Sequence, residues 1–234
     1  ANSTDNQRLV DVVQWGDAQW SSMQNMFNRC FNLTISATDE PDLSQVTSTA
    51  SMFRACSSLD NLPNISNWNT ANITDMKNMF ENTVVFNQDI SNWNTSNVTN
   101  MSQMFSNAVG FNQNIGNWDL SNCTDMQFML DNSGMDCINY SATLMGWAVN
   151  PNTPNAISLG ALGRSYGTNA VSERNTLTTA KNWTITGDSN NGTACILPKP
   201  FITVWNLSKT SATANTLNFQ ITGTAPVAYT WTAS

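Results

Sequence analysis

The residues that could carry out chemistry in this chain are sixteen carboxylates and five cysteines, because the sequence contains no histidine. Histidine is the commonest general base and metal ligand, so its absence removes the most familiar hydrolytic and metal sites. A pair of acids, as in glycosidases, remains to be considered. Asp75 and Asp125 occupy one recurring slot, but Asn100 takes that slot between them. Since Asp and Asn interchange there, the pattern favours a turn role, and we expect no catalytic residue.

Two acidic segments are candidates for a calcium site. They are "TDEPDLS", with Asp39, Glu40 and Asp42, and "GDSNNGT", around Asp188. Neither has the ordered ligand spacing of a calcium-binding loop, and no pair of cysteines has the CxxC spacing of a zinc or thioredoxin-type site. The sequence therefore favours solvated acidic turns, and we expect no metal site and no cofactor.

The five cysteines fit an exported protein with one or two disulfides. Cys30 and Cys56 each follow a methionine by four residues, so they share a slot, and a bond between them is an open alternative. Cys123 replaces Val98 in an apolar series and is interpreted as a small buried hydrophobe. We predict a disulfide between Cys137 and Cys195, which would close a loop of about 60 residues.

The elements that position these residues are indicated by a pattern of apolar residues. It recurs every 25 to 27 residues between Met26 and Leu130. A period of this length is typical of solenoids, in which stacked units complete each other's core. Val98, Met101 and Met104 recur at helical spacing and predict a short helix with Thr99 as its N-cap. The segment "QDISNWNTSN" predicts a short strand from Ile90 to Trp93. The predicted core residues are Met79, Phe80, Phe86, Ile90, Trp93, Val98, Met101, Met104, Phe105, Phe111, Ile115 and Trp118.

Two further residue types keep the same register. Asn72, Asn97 and Asn122 are each expected to be buried or half-buried and to bond the backbone of the neighbouring unit through the side-chain amide, as a ladder. Trp68, Trp93 and Trp118 are expected to belong to the core, and an exposed edge on each ring is an open alternative.

The predicted fold class is α+β, a capped leucine-rich-repeat-like solenoid of about five coils followed by the start of a β-sandwich-like domain. The predicted segments are an N-terminal cap at 1–22, repeats at 23–138, a C-terminal cap at 139–195 and a β-rich segment at 196–234. In the C-terminal cap, Tyr140, Leu144 and Trp147 are predicted to share one face of a helix, and "NAVSERNTLTTAK" is predicted to form a second short helix.

Composition narrows the class of partner. Only 11% of residues are charged, the net charge is −7, and no cluster of Lys and Arg is present to neutralise phosphates. We therefore expect no nucleic-acid partner. No apolar run approaches the roughly 20 residues that span a bilayer, so we expect no direct membrane insertion.

The phrases "FNQDISNWNTSNVTNMSQMF", "NYSATLMGWAVNPNTPN" and "GRSYGTNAV…NWTITGD" resemble the BspA-type leucine-rich-repeat surface proteins of bacteria, over roughly residues 9 to 195. In that family an entry like Trp15-Gly16 with Trp20 to Met23 follows a β-domain, and such a domain opens with a phrase like Pro200 to Trp205. The resemblance implies a tandemly built, exported adhesin, often type 9 secretion cargo and sometimes a gliding-motility protein.

The expected function is that of a non-enzymatic extracellular module of a bacterial cell-surface adhesin, serving surface attachment or gliding motility. Its expected partners are a glycan or protein on a surface, neighbouring modules of the same chain, or the secretion or motility machinery. The alternatives are a structural spacer or self-assembling filament subunit and, third, an enzyme acting on polysaccharide.

Overall fold

The computed structural model describes residues 8–196. Its helices are α1 (Cys137–Val149) and α2 (Val171–Asn175), with 3-10 turns at Ile65–Asn67 and Thr168–Ala170 and a π-helical turn at Thr176–Ala180. Its strands are β1 (Asp11–Val12), β2 (Thr34–Ile35), β3 (Ser158–Gly160), β4 (Ser165–Tyr166), β5 (Thr184–Thr186) and β6 (Ser189–Asn190). They pair in parallel as β1 with β2, β3 with β5 and β4 with β6.

The predicted α+β fold, a capped leucine-rich-repeat-like solenoid, is wrong. The described residues contain two helices, both after residue 136, and three pairs of strands that are each two or three residues long. Residues 36–136 contain neither a strand nor an α-helix, whereas each coil was expected to contribute both. Apart from residue 196, the predicted β-rich segment lies outside the described residues, as does the phrase from Pro200 to Trp205.

The predicted helix around Met101 is instead a series of turns. Met104 N donates to Met101 O at 3.2 Å, and Ala108 N donates to Phe105 O at 3.0 Å. Gln103 and Asn107 have φ values of 57° and 56°, which a right-handed helix does not allow. Turns that bond residues three apart place apolar side chains at the same spacing as a helix, so the sequence pattern did not distinguish the two.

The predicted strand from Ile90 to Trp93 is also a turn, in which Trp93 N donates to Ile90 O at 3.2 Å. Backbone groups that the turns leave free bond to residues about 25 positions away. Met101 N, for example, donates to Asp125 O at 2.8 Å, and single parallel bridges join Asp75 to Asn100 and Asn100 to Asp125. These distant bonds satisfy buried backbone groups that would otherwise lack partners.

The apolar residues of positions 21–136, which we call the turn segment, belong to one core. All twelve predicted core residues are buried, and none is more than 4% exposed. The rings of Phe80 and Phe105 stack at 5.8 Å, and those of Trp93 and Trp118 stack at 6.4 Å. Burying one such ring stabilises a fold by roughly 1.5–3 kcal/mol, so the aromatic stacks are a main source of stability here.

The tryptophans are buried, as expected, and the alternative of an exposed ring edge is not realised. Trp68 and Trp93 are 4% exposed and Trp118 is 0% exposed. The indole of Trp93 donates to Ile65 O at 2.8 Å, and that of Trp118 donates to Ile90 O at 3.0 Å. Helix α1 continues this series, because Trp147 Nε1 donates to Ile115 O at 3.1 Å. Trp93, Trp118 and Trp147 therefore share one bonding mode.

Helix α1 begins after Asp136, whose carboxylate accepts a bond from Asn139 N at 2.8 Å and so caps the helix. The predicted face, Tyr140, Leu144 and Trp147, is buried, as expected from the 3.6-residue period. Its fit depends on glycine, because a Cβ added to Gly146 would lie 2.5 Å from Gly116 O. The second predicted helix is α2 followed by the π-helical turn.

Candidate functional site

The carboxylates considered for catalysis serve turns. Asp75 Oδ1 accepts a bond from Lys77 N at 3.0 Å, and Asp125 Oδ1 accepts one from Gln127 N at 3.0 Å. Between them, Asn100 Oδ1 accepts from Ser102 N at 2.9 Å. An amide oxygen and a carboxylate oxygen therefore accept the same backbone hydrogen bond in this slot. This explains why Asp and Asn interchange there in the sequence.

The acidic segments considered for calcium also bond within the chain. Asp39 accepts bonds from Trp15 N and Gly16 N, and these donors hold its pKa below the usual value. Asp42 Oδ1 accepts from Ser44 N at 2.9 Å. Within residues 8–196, no group of three or more Cys, Asp or Glu side chains is arranged to hold a metal ion.

The asparagine series bonds as a ladder but lies at the surface. Asn72 Nδ2 donates to Ser44 O at 2.8 Å, Asn97 Nδ2 to Ala71 O at 2.8 Å, and Asn122 Nδ2 to Ser96 O at 2.7 Å. All three asparagines are exposed, which corrects the expectation that they are buried or half-buried. Their amides join segments that are 26 to 28 residues apart in sequence.

The cysteines divide into a bonded pair and three free thiols. Cys137 and Cys195 form a disulfide with a Cα separation of 5.6 Å. Cys30 and Cys56 are free and buried, so the open alternative of a bond between them is not realised. The Cys56 thiol instead donates to Phe27 O at 3.0 Å, and burial raises the pKa values of Cys56 and Cys123 to about 12. None of these three thiols is set up as a nucleophile.

A buried charge cluster holds the segment after α1 together. Asp188 is 1% exposed at its side chain and accepts two bonds from Arg174, at 2.7 Å and 2.6 Å. Tyr140 Oη donates to the same carboxylate at 3.0 Å, and burial together with the Asp188 charge raises the tyrosine pKa well above its ordinary value. The Arg174 guanidinium also lies 5.1 Å from the ring centre of Tyr166. No local pattern predicts these contacts, because Asp188 is 14 residues from Arg174 and 48 residues from Tyr140 in sequence.

An open groove lies where the turn segment meets strands β3 and β5. Its volume is about 360 Å³. The residues that line it are Gln127, Phe128, Ser158, Leu159, Gly160, Thr184 and Thr186. We call it the Phe128 groove. None of the seven residues is charged, so the groove combines one aromatic side chain with hydroxyl and amide groups.

Phe128 is the residue that distinguishes this groove. It is 54% exposed and has a φ of 58°, a region that suits asparagine better than a bulky side chain. The equivalent turn position earlier in the chain is occupied by Asn25, Ser51, Asn78 and Gln103, which all share a positive φ. An aromatic residue in a polar slot is therefore a signal in the sequence, but it lies outside the apolar pattern that predicts the core.

A second groove, of about 420 Å³, lies beside residues 121–124 and 154–157. It has no aromatic residue in its lining, and the amide of Asn122 is already bonded to Ser96 O. Its thiol, Cys123, is 2% exposed. This groove therefore offers fewer free groups to a ligand than the Phe128 groove.

Comparison with known proteins assigns a family and no activity. The family model described as "Mycoplasma protein of unknown function, DUF285" matches residues 21–142. Neither a curated protein nor a solved structure gives a significant match. No helix in the described part of the chain is long and apolar enough to cross a membrane.

Proposed function

We propose a function for this chain, which belongs to the family described as "Mycoplasma protein of unknown function, DUF285". The protein is a non-enzymatic extracellular binding module of a bacterial cell-surface adhesin. The family description names no activity, so the proposal rests on the chemistry of the chain and on its resemblance to BspA-type surface proteins. Type 9 secretion and service in gliding motility belong to the same proposal.

The observation that carries the proposal is the disulfide between Cys137 and Cys195. Disulfides form and persist in oxidising compartments, whereas cytosolic thiols are kept reduced. This bond joins the start of α1 to a residue that follows β6, and so it closes the whole segment of two helices and four strands. A structural disulfide in that position supports a protein that works outside the cytosol.

The surface is suited to non-covalent binding and not to catalysis. Only 11% of the chain is charged, and the carboxylates in the recurring slots are occupied as turn acceptors. Exposed Asn, Ser and Thr side chains present amides and hydroxyls, each of which both donates and accepts hydrogen bonds. Such a surface fits polar, uncharged partners, as an adhesin requires.

The location is tested by labelling intact cells of the source organism with a membrane-impermeant amine-reactive biotin. Lys77 is exposed and provides a reaction site in the folded chain. We expect labelling of the intact cells to equal that obtained after lysis. Labelling that occurs only after lysis would contradict the extracellular assignment.

The binding role is tested with beads that carry the purified chain. We expect these beads to be retained under flow on a layer of bacterial or host cells more strongly than beads coated with albumin. Equal release of the two kinds of bead would contradict an adhesive role. Linear self-association of the chain in sedimentation experiments, without retention of the beads, would favour the spacer or filament alternative instead.

A further inference from the structure

We propose that the Phe128 groove binds an uncharged carbohydrate, with the face of a sugar ring packed on Phe128. This inference rests on the proposed function, because it names the ligand class and the site of an adhesive module. It also goes beyond that function, since the module could bind a surface through any other part of its exterior.

The first step concerns the position of the ring. Phe128 is 54% exposed, although twelve aromatic and aliphatic residues of the same segment are at most 4% exposed. The backbone of Phe128 lies against strand β3, so close to Gly160 that a Cβ there would collide with it. The exposed ring therefore belongs to a turn whose main chain is packed against a strand, which fixes the position of the residue that would stack on a ligand.

The second step concerns the strained backbone. A left-handed conformation disfavours bulky L-residues by roughly 1–2 kcal/mol, whereas Asn and Asp adopt it more readily. Asn25 and Asn78 occupy the equivalent position elsewhere in the chain. Phe128 is thus a poorer choice for the fold than asparagine, and a residue that is unfavourable for folding and exposed to solvent points to a binding role.

The third step concerns the hydrogen-bonding groups around the ring. The side chains of Gln127, Ser158 and Thr184 are exposed and make no hydrogen bond to any residue in the range 8–196. Together they present an amide and two hydroxyls, all of which both donate and accept. Sugar hydroxyls have the same dual character, while the C–H face of the ring packs on an aromatic surface.

The charge of the groove narrows the ligand class. None of the seven lining residues carries a charge, so nothing in the groove would neutralise a sulfate, a phosphate or a uronic acid. The chain as a whole carries a net charge of −7, which further disfavours anionic ligands. A neutral glycan is therefore the ligand that the groove fits best.

The test uses the full chain, labelled with ¹⁵N and titrated with soluble probes. The neutral probes are maltohexaose, cellohexaose, laminarihexaose, xylohexaose and chitohexaose. The anionic probes are an oligogalacturonate and a heparin hexasaccharide. We expect at least one neutral probe to shift the amide signals of Phe128, Ser158 and Thr184, and the anionic probes to leave them unchanged.

The key variant is Phe128→Asn, which puts the residue used at equivalent turns in place of the ring. It should fold at least as well as the parent chain and lower the affinity for the neutral probe roughly tenfold. The matched control is Phe31→Asn, since Phe31 is 39% exposed but does not line the groove. The control variant should bind the probe like the parent.

Where a probe does bind, three outcomes would overturn the inference. They are full affinity in Phe128→Asn, an equal loss in both variants, and binding of anionic probes alone. If no neutral probe binds while beads carrying the chain are still retained on cells, the glycan groove fails and the adhesive function stands. If the beads are not retained either, both the inference and the proposed function fail.

Discussion

The turn segment, residues 21–136, and the segment from α1 to Cys195 are stabilised in different ways. In the turn segment, alternate backbone groups bond to residues about 25 positions away, and stacked aromatic rings fill the interior. The later segment has two helices, a disulfide and a buried ion pair between Arg174 and Asp188. The first depends on many similar contacts repeated along the segment, and the second on a few contacts of different kinds.

Each segment is sensitive to a different kind of substitution. Loss of one ring from the turn segment leaves a cavity among close-packed neighbours on both sides, because Phe105 touches the rings of Phe80 and Phe111. In the later segment, a single cross-link restricts 58 residues at once. Residue substitutions can therefore separate the two modes of stabilisation.

The largest effect is expected from Phe105→Ala in the turn segment. Phe105 is fully buried, so its truncation should lower the free energy of unfolding by about 3–5 kcal/mol. Phe128→Ala, in the same segment but at an exposed position, should change it by about 0.5 kcal/mol or less. Urea unfolding measures both values. Similar losses in the two variants would show that burial in the stack is not what stabilises this segment.

The next largest effect is expected from replacing Cys137 and Cys195 together by serine. Removal of a cross-link over 58 residues should lower stability by about 2–4 kcal/mol, through greater freedom of the unfolded chain. Hydrogen exchange should rise in residues 137–196 and stay unchanged around Phe80. Reductant added to the parent chain should reproduce the result, because Cys30, Cys56 and Cys123 are already free thiols. Uniformly faster exchange would mean that the two segments do not differ in this way.

The smallest effect is expected from Asn97→Ala. This change removes the bond from Asn97 Nδ2 to Ala71 O and should cost about 1 kcal/mol of stability. Asn92→Ala is the matched control, because Asn92 is also exposed and its side chain bonds to no residue in the described part of the chain. Thermal unfolding compares the two. Equal values would show that the asparagine series adds nothing to the turn segment.

Several features of this protein were predictable from particular residues. The buried set from Met79 to Trp118, the buried face of α1 and the turn role of Asp75 all follow from side-chain type and spacing. The leucine-rich-repeat fold did not follow, because a spacing of three residues is compatible with a helix and with successive turns. Only the positive φ values of residues such as Gln103 and Asn107 separate the two.

The type and spacing of apolar residues along the chain are enough to identify the buried core from Met79 to Trp118, because hydrophobicity belongs to each residue. Three features appear only in the folded chain: turns replace the predicted helix and strand, Asp188 meets both Arg174 and Tyr140, and Gln127, Phe128, Ser158 and Thr184 line one groove. Those outcomes depend on backbone angles and on partners far apart in sequence, which no local pattern of residues encodes.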